Sequence, residues 1–107
     1  MIKLENVEKI TEINFTRMIC LLCPLGGDYY SAEISVYMEL GDCYPEYMEL
    51  DKAIQDFGGK GYNIEQLVGA IYDLMETEYK PKSLSVDVEA NGNTHFPIVV
   101  TKRSKAE

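Results

Sequence analysis

The sequence predicts an α+β fold in which one antiparallel four-stranded sheet carries two helices on a single face. The expected order is strand, strand, helix, helix, strand, strand. Three observations lead there. Apolar residues recur with period two at both ends of the chain and with period 3.6 between them. Turn residues stand where the period changes. Each helical stretch carries one apolar stripe, which needs a sheet face to bury against. A chain of 107 residues fits one domain, 1–107, since single cores usually hold about 100–150 residues.

From Ile10 to Leu22 the chain is rich in β-branched and apolar residues, including Ile13, Phe15, Thr16, Ile19 and Leu21. Pro24, Gly26 and Gly27 end this first strand in a loop. Ala32, Ile34, Val36, Met38 and Leu40 then alternate with Ser31, Glu33, Ser35, Tyr37 and Glu39, giving a second strand antiparallel to the first. Gly41, Asp42 and Pro45 close the pair, and Pro45 suits the first turn of a helix, where its missing N–H costs nothing. Tyr47, Leu50, Ala53, Ile54 and Phe57 follow at helical spacing, and Gly58-Gly59 stops them.

A second helix begins at Asn63, where Gln66 completes a capping-box pattern. Its stripe is Ile64, Leu67, Val68, Ile71, Leu74 and Met75, and Pro81 ends it. Gly69 inside this helix costs about 1 kcal/mol relative to alanine, which suggests that something packs closely there. Leu84, Val86, Val88 and Ala90 return to period two, opposite Ser85, Asp87 and Glu89. Asn91-Gly92 is a strong hairpin signal, and Phe96, Ile98 and Val100 continue as its partner strand. Pro97 puts that last strand near an edge or bulge. An open sheet has edges that proteins close or cover, so a symmetric homo-oligomer is expected.

Composition narrows the function. Ten Lys/Arg against eighteen Asp/Glu leave a net charge of −8. Nucleic acid and anionic lipid both select cationic surfaces, so neither is an expected partner. Basic residues cluster only at Lys102-Arg103 and Lys105. The apolar run from Met18 to Leu25 is far shorter than the roughly 20 residues of a membrane-spanning helix. The stretch from Met1 to Asn6 shows no apolar signal core, and the cytoplasm is the expected compartment. Three cysteines, an odd number, fit reduced thiols better than a disulfide framework.

Cys23 lies where the first strand enters a glycine-containing loop, a good place for a thiol to meet a ligand, although nucleophilic use needs a thiolate. Buried cysteines also serve simply as small apolar residues. Cys20 and Cys23, with Cys43 and His95, make a poor zinc set, because residues three apart on a strand point to opposite faces. No metal is expected. His95 is the one histidine, so no Ser-His-Asp chemistry is supported. Glu65 falls in the first turn of the second helix, where the helix dipole alone explains a carboxylate. It is also a fixed acceptor for two N–H donors on a guanine-like or pterin-like ring. Tyr29, Tyr30, Tyr44, Tyr47 and Phe57 offer stacking surface, or core. Gly58-Gly59-Lys60-Gly61 lacks the strand and the Lys-Ser/Thr ending of a phosphate loop.

With Cys-Pro after the first strand and an early glutamate on the second helix, the chain resembles the tunnelling-fold family. It is most similar to the 7-cyano-7-deazaguanine reductases of queuosine biosynthesis (QueF type) and their short amidinotransferase relatives, over roughly Thr16 to Thr101. The resemblance implies an oligomeric barrel with heterocycle sites between subunits. It implies that Cys23 attacks the substrate nitrile to give a thioimide, and that Glu65, 42 residues on, anchors the deazapurine edge. Nitrile reduction with NADPH is the activity it suggests first. Glu46 and Leu50 fall in what would be the cofactor segment, but Glu46-Tyr47-Met48-Glu49-Leu50-Asp51 lacks the lysines of that segment. Tyr30, seven residues after Cys23, stands where those enzymes have the acid/base aspartate, and Asp28 is the substitute proton donor. Ile64 replaces a histidine. A homologue that binds a heterocycle without chemistry, or serves as a structural oligomer, is the alternative.

Overall fold

The computed structural model describes residues 1–91 and 96–104. The turn expected at Asn91-Gly92, His95 and Lys105 lie outside the described residues. Strands β2 (Glu12–Leu22), β3 (Tyr29–Glu39), β5 (Ser83–Asn91) and β6 (Ile98–Arg103) form one antiparallel sheet in the order β2-β3-β5-β6. Helices α1 (Tyr47–Gln55) and α2 (Ile64–Tyr79) carry the chain from β3 across to β5. The expected order is observed, with one addition. Two three-residue strands, β1 (Lys3–Glu5) and β4 (Cys43–Pro45), pair as a separate ribbon.

The period-two stretches do what their pattern demands. Ala32, Ile34, Val36 and Met38 of β3 and Leu84, Val86, Val88 and Ala90 of β5 are all buried. They meet Leu50 and Ile54 of α1 and Leu67, Val68, Ile71 and Met75 of α2 in one core. Each Val, Leu, Ile or Met side chain among them contributes about 1.5–3 kcal/mol when fully removed from water. The other sheet face carries no helix and exposes Met18, Tyr37 and Val99. β2 and β6 are its outer strands.

Three expectations are corrected. Pro45 ends strand β4 and precedes the N-cap Glu46, so it is not in the first helical turn. Its fixed φ suits an extended residue equally well. Tyr47 is exposed rather than part of the buried stripe. A Cβ added at Gly69 would meet nothing within 4 Å, so close packing does not explain that glycine.

Candidate active site

The last pairs of the β2–β3 ladder are Leu21 with Tyr30 and Leu22 with Tyr29. The backbone extends this register by one step, since Cys23 N–H donates to Asp28 O at 2.7 Å. Gly27 N–H then closes the turn onto Cys23 O at 3.0 Å. Residues opposite each other on antiparallel strands share a face, and alternate residues along a strand return to it. Leu21, which is fully buried against the helices, therefore marks the face of Cys23, Asp28 and Tyr30. Cys23 and Tyr30 are half-buried there, and Asp28 is exposed. Cys20 is exposed on the opposite face, so the Cys20/Cys23 pair does not converge, as strand geometry requires.

The segment between the helices docks against the outer edge of β2. Gly59 N–H donates to Cys20 O at 2.8 Å and Leu22 N–H to Lys60 O at 3.1 Å. Glycines make this approach possible. A Cβ at Gly58 would sit 3.0 Å from Gln55 O and 3.6 Å from Cys20 O, and Gly59 has φ +76°. Lys60 lies with its ammonium 5.7 Å from the Phe57 ring centre, and Phe57 meets Tyr62 edge-on at 5.9 Å. Tyr30 then reaches across from β3, its hydroxyl donating to Tyr62 O at 2.6 Å.

Helix α2 starts immediately after this contact. Asn63 accepts from Gln66 N–H at 2.7 Å and Gln66 Oε1 accepts from Asn63 N–H at 3.0 Å, the reciprocal cap expected from sequence. That cap relieves Glu65 of capping duty. Glu65 is exposed in the first turn, and its carboxylate has no hydrogen bond or ion pair among the described residues. The Tyr30 hydroxyl ties these parts together electrostatically. Burial pushes its pKa above the ordinary 10, and the charges of Cys23 and Glu65 push it further. Four of the six expected site residues (Cys23, Asp28, Tyr30 and Glu65) thus belong to one rim of the fold.

The other two do not present a free functional group to that rim. Ile64, first residue of α2, packs against the core. Glu46 is the N-cap of α1, its two oxygens accepting from Met48 N–H at 3.0 Å and Glu49 N–H at 2.9 Å. Its charge acts on Tyr79, the last residue of α2, and positions 65 and 79 stand about 20 Å apart at 1.5 Å rise per residue. Tyr44 and Tyr47, which flank Glu46 in sequence, pair with ring centres 6.4 Å apart. Along the expected cofactor segment, Glu49 accepts from Ile2 N–H and Asp51 lies 3.1 Å from Arg17 Nε. Acids already engaged within the chain do not fit the phosphates of NADPH. Among the described residues no cluster of three His, Cys, Asp or Glu could hold a metal ion, and no helix is long and apolar enough to cross a membrane.

No protein-family model matches the sequence, and no curated protein matches it. Among solved structures the chain is similar to the crystal structure of an archaeosine synthase, QueF-like, in the apo form. The TM-score is 0.83 at 17% sequence identity, covering 89% of this chain and 94% of that one. This is the tunnelling fold. Within it the two strand pairs and two helices are those expected from the hydrophobic pattern. The contacts that sequence reasoning missed are Tyr62, whose backbone carbonyl receives Tyr30, and Lys60, whose carbonyl docks the loop. Backbone acceptors leave no residue-type signature. The Gly58-Gly59 pair is the available signal, since glycines permit the close approach to β2.

Proposed function

We propose that this chain is a QueF-like enzyme acting on 7-cyano-7-deazaguanine or a related purine- or pterin-like heterocycle. Cys23 is the nucleophile and Glu65 the anchor of the ring. The observation that carries the reading is the bond from the Tyr30 hydroxyl to Tyr62 O at 2.6 Å, which joins the strand pair that ends at Cys23 to the start of the helix that bears Glu65. A thiol and a spare carboxylate around one half-buried point suit a flat ring with a reactive substituent at one end.

Each group has a defined task. The Cys23 thiol loses its proton and its sulfur attacks the nitrile carbon, forming a C–S bond. One C≡N π pair moves onto nitrogen, which takes a proton, leaving a thioimide. Asp28, whose backbone carbonyl accepts from Cys23 N–H, is the acid we assign to supply or recover that proton. The Glu65 carboxylate accepts two ring N–H groups, charge-assisted bonds of the stronger kind. From the thioimide, ammonia as a co-reactant gives an amidine and frees the thiol. The engaged acids of Glu46–Asp51 support no hydride step from NADPH. Association of copies through the β2 and β6 edges would add walls to the site.

Intact mass spectrometry after incubation with 7-cyano-7-deazaguanine tests this. The expected result is a gain equal to the whole compound, with nothing lost, on the wild type and none on Cys23→Ala. No gain on the wild type removes the enzyme reading. A second reading, ring binding without chemistry, is favoured by the Tyr30 hydroxyl being committed to Tyr62. Saturable binding without an adduct selects it.

A further inference from the structure

We propose that Tyr30 is a positioning residue, whose bond to Tyr62 fixes where α2 begins relative to the Cys23 strand pair and so sets the span from thiol to Glu65. The inference rests on the proposed site and adds to it the part that holds its two halves in register.

Three ties fasten the inter-helix segment to the sheet. Two are backbone bonds along the edge of β2, at Cys20 and Leu22, and they stop at Lys60. The next residue, Gly61, has open space where a side chain would stand, so nothing clamps the chain there. The third tie is Tyr30 to Tyr62 O at 2.6 Å, from a different strand, one residue before the N-cap Asn63. Two ties along one edge leave the segment free to pivot about that edge, and a third off the line removes the pivot. Phe57 holds the Tyr62 ring while Tyr30 holds its carbonyl. Glu65 follows within the first helical turn, so any swing of Tyr62 moves the carboxylate. The hydroxyl has one proton and donates it to Tyr62. While that bond stands, Tyr30 holds geometry and is not the proton source.

Tyr30→Phe keeps the ring and deletes the tie. Residue-resolved amide exchange should accelerate at least about tenfold at Asn63, Gln66 and Leu67, whose N–H groups depend on the helix start, and stay constant at Ile71 and Met75. Unchanged rates at the helix start overturn the proposal, whatever the ligand does. The second arm measures binding of 7-cyano-7-deazaguanine in a double-mutant cycle. The fold-loss from Glu65→Ala should shrink at least about threefold in the Tyr30→Phe background, a coupling that a purely stabilising bond does not produce. Equal losses in both backgrounds overturn it. If the wild type binds none of the compound, the proposed function fails while amide exchange still decides Tyr30. In the wild type itself, the Tyr30 hydroxyl proton should exchange slowly with solvent; exchange at the free-phenol rate contradicts the tie without any variant.

Discussion

The two ends of α2 hold two tyrosines with the same disturbance and opposite surroundings. Tyr30, beside the start of the helix, and Tyr79, its last residue, both have phenols pushed above their ordinary value, first by burial. Both feel a cysteine and at least one glutamate, Cys23 and Glu65 for Tyr30, and Glu78, Glu49, Cys43 and Glu46 for Tyr79. Around Tyr79 every acid is occupied. Glu46 caps α1, Glu49 accepts from Ile2 N–H, and Glu78 pairs with the Met1 ammonium at 3.6 Å. The Cys43 thiol donates to Tyr79 O at 3.4 Å, and the Tyr79 hydroxyl, buried in a residue 2% exposed, has no partner among the described residues. Around Tyr30 the hydroxyl is bonded and Glu65 is spare. A perturbed group marks a candidate site only when its neighbours keep unused bonding capacity.

Variants at each end sharpen that contrast. The largest effect is all-or-none: Cys23→Ala should abolish the mass adduct, whereas Cys43→Ala should leave it intact. Next, Glu65→Ala should weaken binding of 7-cyano-7-deazaguanine by about 1.5–3 kcal/mol per lost charge-assisted bond, read by calorimetry, with the melting temperature nearly unchanged. Glu46→Ala should do the reverse. Loss of its cap costs about 1 kcal/mol in denaturant unfolding, and ring affinity stays put. If Glu46→Ala abolishes ring binding instead, the two ends are not separate.

A further contrast concerns alkaline stability. An unfolded tyrosine loses its proton near pH 10, whereas Tyr79 in the fold holds it to about 12. Between those values the unfolded chain binds fewer protons, so stability falls as pH rises. Tyr79→Phe should flatten that loss in denaturant titrations across pH 9–12; an unaltered slope separates the loss from Tyr79. Gly69→Ala offers a control away from both ends, expected to gain up to about 1 kcal/mol because the new methyl meets no neighbour.

Much of the fold was legible because burial writes itself into the period of the sequence. Ala32 to Met38 and Leu84 to Ala90 show their buried face in every second residue, and Asn63 with Gln66 declares the start of α2. The β1–β4 ribbon was not legible, since Lys3–Glu5 and Cys43–Pro45 are too short to show a period. For the candidate site, Cys23 and Glu65 were legible as candidates through the resemblance, from Cys-Pro after a strand and a glutamate at a helix start. The bond that joins their two elements was not. Tyr30 reaches Tyr62 through a backbone carbonyl 32 residues away, a bond that any residue at position 62 could accept. Glu46 shows the opposite limit: the resemblance placed it in a ligand segment, and no residue pattern announced that it caps α1.

A structure of the protein crystallised with 7-cyano-7-deazaguanine tests the central claim most directly. The account predicts continuous density from the Cys23 sulfur to the former nitrile carbon, with ring N–H groups within about 3 Å of the Glu65 carboxylate. A ring bound elsewhere, or seated beside Cys23 with Glu65 turned to solvent in every copy, contradicts it.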